Sequence, residues 1–103
     1  MQFEWDAAKA VSNVRKHGVT FDEARTVFAD SLSATGRDLE HSHAESRFVT
    51  FGLSSKGRVL AVSHTDHGGV VRIISARPTT RKEKRIYEEG WITERRNARR
   101  VRA

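Results

Sequence analysis

Basic and hydroxyl side chains gather where the last predicted strand of this 103-residue chain is followed by a helix. Arg77 ends the strand and Thr80 stands at the helix start. The basic residues of the first helical turns are Arg81, Lys82, Lys84 and Arg85. Because a helix N-terminus favours anions, cations crowded there predict a bound phosphate, held by free backbone N–H groups and guanidinium groups together. The alternative is a solvated basic face whose cations pair with Glu88 and Glu89.

Two further groups of side chains could contribute to such a site. Lys16 and His17 lie at the predicted C-terminus of the first helix, and a histidine can act as acid or base near neutral pH. Equally, the two residues could only complement the helix dipole and a Gly18 cap. Arg47 and Arg72 project from apolar strands, where an arginine is costly unless it is paired or lies on an open functional face. Arg72 is interpreted as lying on such a face.

The remaining histidines give weaker signals. For His64, in a strand, a structural histidine with satisfied hydrogen bonds is at least as well supported as a place on a functional face. His41 and His43 could hold a metal, but no third ligand is evident, so a hydrophilic loop is favoured. The chain has no cysteine, no Gly-rich phosphate loop and no HExxH pair. We therefore expect neither a metal nor a cofactor, and neither nucleotide hydrolysis nor metalloprotease chemistry.

Charge is distributed unevenly along the chain. Lys and Arg total 19 against 13 Asp and Glu, a formal charge of +6. Residues 1–45 hold five basic and eight acidic residues, whereas residues 46–103 hold fourteen basic and five acidic residues. The basic second half predicts a polyanionic partner. No apolar run approaches the length of a membrane span and no signal peptide is recognisable, so we expect a cytoplasmic protein without membrane contact.

The helices and strands that would position these side chains can be predicted from hydrophobic periodicity and turn residues. A short strand is predicted over 2–5, with helices over 7–17 and 21–29 forming an αα-hairpin. Asp6 and Gly18 cap the first helix, and Thr20 with Glu23 forms a capping box for the second. A weak strand is expected over 31–37. Firm strands over 47–54, 58–65 and 70–77, joined by loops 55–57 and 66–69, predict antiparallel hairpins.

The last strand is expected to be central, because both of its faces are largely apolar. Strict alternation puts Arg77 on one face, with Val71, Ile73 and Ser75, and Arg72 on the other. Thr80 and Glu83 form a capping box that opens a helix through Ile86 and Tyr87. We expect one domain over 1–90, and a basic tail or helix extension over 91–103. The arginines of that extension are Arg95, Arg96, Arg99, Arg100 and Arg102.

The motifs together resemble a bacterial toxin family, BrnT, over residues 2–89. Near the N-terminus the resemblance is carried by Phe3-Glu4-Trp5-Asp6, Lys9, Asn13, Lys16-His17-Gly18-Val19 and Phe21-Asp22-Glu23-Ala24. Further along it is carried by Arg72-Ile73-Ile74-Ser75-Ala76-Arg77, followed by Thr80, Arg81, Glu83 and Tyr87. It implies an α+β, RelE-like fold: a short strand and an αα-hairpin packed on an antiparallel sheet, followed by a C-terminal helix.

The resemblance also implies a function and partners. A BrnT-like protein would be a ribonuclease toxin of a type II toxin–antitoxin system that cleaves RNA and arrests translation. Its partner would be a BrnA-like antitoxin with a ribbon-helix-helix domain, and operator DNA would be bound only through the toxin–antitoxin complex.

Residue roles follow as hypotheses for metal-independent cleavage, in which the ribose 2′-OH attacks the adjacent phosphate. Candidate catalytic residues are Lys16, His17, Arg72, Arg77 and Tyr87. Candidates for binding RNA phosphates are Arg47, Thr80, Arg81, Lys82 and Arg85. Glu23 or Glu45 could serve as base. Two alternatives stay open: a non-catalytic nucleic-acid-binding or regulatory subunit, and a basic surface whose use is to bind an acidic antitoxin segment.

Overall fold

Five strands form one sheet in the order β1-β5-β4-β3-β2. The computed structural model describes residues 1–38 and 46–90. The strands are β1 Gln2–Trp5, β2 Ala34–Arg37, β3 Phe48–Leu53, β4 Val59–His67 and β5 Val70–Pro78. The helices are α1 Ala7–His17, α2 Phe21–Arg25 and α3 Arg81–Glu89, with a 3₁₀ turn at Thr26–Ala29. The predicted α+β class is confirmed. The basic extension and the loop with His41 and His43 lie outside the described residues.

The sheet is mixed, so the prediction of an entirely antiparallel sheet is wrong. β1 lies parallel to β5, with Gln2 opposite Val70 and Trp5 opposite Ile73, whereas the other strand pairs are antiparallel. Short loops impose antiparallel pairing on neighbouring strands, but β1 and β5 are separated by most of the chain, so no loop sets their relative direction. β5 is central as predicted, between β1 and β4.

Capping residues define the helix ends largely as predicted. Asp6 accepts a hydrogen bond from the Lys9 N–H at 3.0 Å, and Gly18 closes α1 in the left-handed conformation, with φ 68°. The predicted second helix is regular only to Arg25 and then tightens into the 3₁₀ turn. There the Thr26 hydroxyl donates to the Glu23 carbonyl at 2.6 Å, a side-chain bond of the kind that competes with the α-helical ladder.

The hydrophobic core lies between α1, α2 and one face of the sheet. Its buried members are Val19, Phe21, Ala24, Val27, Leu60, Val62, Val71, Ile73 and Ala76. The 3₁₀ turn approaches β3 so closely that a Cβ on Gly52 would lie 2.9 Å from the Val27 Cβ. Only glycine fits at that position without a shift of the backbone.

The turn between β4 and β5 is tighter than the predicted loop. Asp66 and His67 belong to β4, and only Gly68 and Gly69 remain as the turn. Both have positive φ, 55° and 86°, as a two-residue hairpin turn of type I′ requires.

A bulge in β5 corrects the predicted distribution of its side chains. Ser75 pairs with Ser63 and Ile73 pairs with His64, so Ile74 is an extra residue without a partner on β4. Arg77 lies opposite Ala61 and Arg72 lies opposite Thr65. Because alternate residues of β4 share a face, Arg72, Ser75 and Arg77 also share one face, whereas strict alternation separates the two arginines.

Candidate functional site

A concave surface lies on the sheet face opposite the core, partly covered by α3. We call this sheet face the α3 face; it is defined by Arg47, Ser63, Arg72, Ser75 and Arg77. The concavity has a volume of about 490 Å³. Its lining residues are Asp38, Arg47, Val49, Phe51, Ser63, Ser75, Arg77 and Glu83. Two arginines, two carboxylates and two serine hydroxyls thus border one water-accessible hollow, which offers a ligand both cationic groups and polar hydrogen-bonding groups.

Arg77 is held at this concavity by a two-pronged ion pair with Glu83. Its Nη1 and Nη2 atoms donate to Glu83 Oε1 and Oε2 at 2.7 and 2.8 Å. The hydrogen bonds from Arg77, with a further one from the Thr80 backbone, lower the pKa of Glu83 to about 2. The same pairing raises the pKa of Arg77. Both groups are therefore charged at every pH relevant to a cell.

The N-terminus of α3 already has an anion of its own, which changes the phosphate prediction. Glu83 Oε1 accepts the Thr80 N–H at 2.9 Å, and Thr80 Oγ1 accepts the Glu83 N–H at 3.2 Å, so the predicted capping box is complete. A phosphate at this helix end would compete with the Glu83 carboxylate. The backbone of α3 is therefore not open to a phosphate as the sequence predicted, whereas the Arg77 guanidinium borders the concavity.

The cations of α3 are exposed to solvent. They are Arg81, Lys82, Lys84 and Arg85. Within residues 1–38 and 46–90, none of the four forms an ion pair, so pairing with Glu88 or Glu89 does not explain them. They place positive charge along the outer surface of the helix.

Arg72 shares the α3 face but does not line the concavity. Its Nη1 lies 3.1 Å from Glu4 Oε2 on β1, in an ion pair that is about half exposed on both sides. Thr65, directly opposite Arg72, is buried. Exposed ion pairs of this kind contribute little stability and exchange partners readily, so Arg72 could turn to a ligand phosphate.

Lys16, His17 and Tyr87 are not brought to the concavity. Lys16 and His17 are exposed at the end of α1, which packs on the opposite, core face. The Tyr87 hydroxyl donates to Asp30 Oδ2 at 2.6 Å and thereby fastens α3 to the segment before β2. In this structure Tyr87 borders a different hollow, beside Arg58 and Lys84.

Glu23, a candidate base, has a structural role here. Its carboxylate is 4% exposed and accepts hydrogen bonds from Arg58 at 2.7 and 2.8 Å and from the Ser54 hydroxyl at 2.7 Å. Because this side chain points to Arg58 rather than back to Thr20, the predicted capping box at α2 is only half formed. Arg58 lowers the pKa of Glu23, which makes it a poor proton acceptor. Glu45 lies outside the described residues.

Asp38, Ser63 and the ion pair of Glu83 with Arg77 were not identified from the sequence. Asp38 follows β2, and its N–H donates to the Arg47 carbonyl at 2.8 Å. The Thr80 to Glu83 spacing indicated a cap but gave no sign that the Glu83 carboxylate pairs with Arg77. Ser63 lies opposite Ser75 only because β4 and β5 pair.

His64 is a buried structural histidine, one of the two interpretations that the sequence left open. Its Nε2 lies 2.8 Å from Thr50 Oγ1, and its ring packs edge-on against Phe28 with centroids 4.9 Å apart. Across residues 1–38 and 46–90, no three His, Asp or Glu side chains converge into a group that could hold a metal ion. Nor does this part of the chain contain a helix long and apolar enough to cross a membrane.

Fold and site together define a small α+β protein that presents an arginine-bearing concavity on the sheet face opposite its core. The family model described as "Ribonuclease toxin, BrnT, of type II toxin-antitoxin system" matches residues 5–83. The chain therefore belongs to the BrnT family of ribonuclease toxins.

A solved structure supports this fold. The chain is similar to the crystal structure of the Brucella abortus ribonuclease toxin BrnT, with a TM-score of 0.62 and 21% sequence identity. The match covers 79% of this chain and 99% of that one. Among curated proteins, no sequence matches this chain.

Proposed function

We propose that the chain is an endoribonuclease that cuts RNA at the α3 face. It acts in the cytoplasm, where the cleavage inhibits translation. Its sheet and helices follow a RelE-like arrangement. The observation that carries this proposal is the concavity itself. There the guanidinium of Arg77, fixed by Glu83, lies on the same hollow as Arg47 and two serine hydroxyls. Fixed cations at a phosphate stabilise the charge that develops in its transition state.

The proposed reaction needs only the RNA and protein side chains. The 2′ oxygen attacks the adjacent phosphorus while its proton passes to a base, and the 5′ oxygen leaves with a proton from an acid. The products are a 2′,3′-cyclic phosphate and a free 5′-OH. Arg77 and Arg47 stabilise the phosphorane, and Arg72 and the α3 cations bind neighbouring phosphates. Glu83, one of the two lining carboxylates, accepts three hydrogen bonds and is therefore a poor base.

RNA cleavage by the purified chain in EDTA tests this proposal. We expect cleavage by the wild type and a loss of roughly 100-fold or more in Arg77→Ala, the size found when one fixed transition-state donor is removed. Arg25→Ala is the matched control, because Arg25 is an exposed arginine on α2, away from the concavity. Undiminished cleavage by folded Arg77→Ala would overturn the site. RNA binding without any cleavage by the wild type would favour the non-catalytic alternative.

We also propose that a BrnA-like antitoxin with a ribbon-helix-helix domain neutralises the chain by covering the concavity with an acidic segment, and that operator DNA is bound only by the complex. Charge complementarity to Arg47, Arg77 and the α3 cations supports this. In an RNA-cleavage assay, adding the antitoxin should block the wild type. Binding of the antitoxin that leaves cleavage unchanged would show that it docks elsewhere.

A further inference from the structure

We infer that Glu83 is a positioning residue for RNA cleavage: it acts through Arg77, whose guanidinium it holds in a fixed orientation at the concavity. This inference rests on the proposed ribonuclease function. It concerns a carboxylate whose only role predicted from sequence was to cap a helix.

The geometry leaves Arg77 able to bind a phosphate while it remains paired. A guanidinium has five N–H donors, and the bonds to Glu83 use one on Nη1 and one on Nη2. The second Nη1 donor is at most weakly engaged with the Pro78 carbonyl, at 3.4 Å. The Nε–H and the second Nη2–H have no acceptor among residues 1–38 and 46–90, so they remain available to a phosphate oxygen.

Glu83 is itself held rigidly, which is what a positioning residue requires. It lies in the first turn of α3, and the two hydrogen bonds of the capping box connect it to Thr80. One turn further along, Ile86 borders an apolar hollow with Val49 and Phe51 of β3. The ion pair between Arg77 and Glu83 thus connects the guanidinium on β5 to a helix that also packs on β3. A long arginine side chain, 41% exposed, is in this way ordered before RNA arrives.

The test uses Glu83→Gln, because glutamine also forms capping boxes and therefore preserves the helix start while removing the charge. Glu88→Gln is the matched control: it makes the same substitution on an exposed position of α3. Both are made in the full chain, in wild-type and Arg77→Ala backgrounds. Thermal melting confirms folding, and Glu83→Asp replaces Glu83→Gln if the latter is unfolded at the assay temperature.

We expect Glu83→Gln to lower kcat on the order of 10-fold with little change in KM. In the Arg77→Ala background the same substitution should have no further effect, because the effects of substitutions at two interacting residues do not add. Glu88→Gln should leave kcat within about twofold in either background. The inference is overturned if the loss persists in Arg77→Ala, if Glu88→Gln reproduces it, or if Glu83→Gln cleaves like the wild type. A wild type that does not cleave would overturn the ribonuclease proposal instead.

Discussion

At the scale of single residues, His64 shows how burial on the core face changes the pKa of a titratable group. Its Nε2 joins a line of hydroxyls in which Thr50 Oγ1 lies 2.7 Å from Thr35 Oγ1, and its Nδ1 lies 3.5 Å from Asp66 Oδ1. Burial lowers the pKa of His64, and the partly exposed Asp66 only opposes this shift. The folded protein therefore favours the neutral imidazole.

This lowered pKa predicts a loss of stability in mild acid. Below the ordinary histidine pKa of 6.5, the unfolded chain binds a proton that the folded chain resists, so unfolding becomes easier as pH falls. As the pH falls below about 6.5, the free energy of unfolding should fall by up to ~1.4 kcal/mol per pH unit in the wild type, and less in His64→Gln. Urea titrations at several pH values measure this. The exposed His17→Gln is the control, and equal slopes for wild type and His64→Gln would contradict the prediction.

Residue types in the sequence predicted some members of the candidate site, but not the contacts between them. Arg47 and Arg77 were identifiable, because an arginine in an apolar strand or beside a helix start needs an explanation. Glu83 was recognisable only as a cap, since its pairing with Arg77 depends on the angle at which β5 meets α3. Lys16 and His17 looked equally suitable as charges, but α1 packs on the other side of the sheet.

At the scale of elements, local signals predicted the helices and hairpins well. Caps at Asp6, Gly18 and Thr80 and the alternation in β3 to β5 depend on neighbours in the sequence. The parallel pairing of β1 and the bulge at Ile74 depend on a distant strand, and neither leaves a local pattern. Because one extra residue reverses the faces beyond it, this bulge decides that Arg72 and Arg77 share a surface.

Asn13 connects two elements and gives a prediction at this scale. Its side chain donates hydrogen bonds to the Val19 and Ala76 carbonyls at 2.9 and 2.7 Å and accepts one from the Ala76 N–H at 3.0 Å. The amide thus pairs with backbone groups of β5 beyond the end of β1, where the described residues place no neighbouring strand on that side. Asn13→Ala leaves these buried groups unpaired and should lower the free energy of unfolding by about 3 kcal/mol. Urea unfolding measures the loss, with Ser12→Ala as control. A loss below about 1 kcal/mol would show that water replaces the amide.

At the scale of the whole molecule, the sheet separates two groups of cations. Lys9, Arg15 and Arg25 lie on α1 and α2, which cover the core face, whereas Arg77 lies on the α3 face and the cations of α3 flank it. If RNA binds at the concavity, the position of a cation should matter more than the net charge of the protein.

Salt dependence of RNA binding tests this separation. Each cation that contacts a single strand contributes about 0.7 to the slope of log K against log salt, so Arg81→Gln, Lys82→Gln and Arg85→Gln together should reduce that slope by about 2. A control variant removes the same charge from the helices of the core face, at Lys9, Arg15 and Arg25. A single-stranded RNA with 2′-O-methyl riboses prevents cleavage during the titration. If RNA binds the α3 face, the control keeps the wild-type slope; equal reductions in both variants would mean that net charge alone attracts RNA.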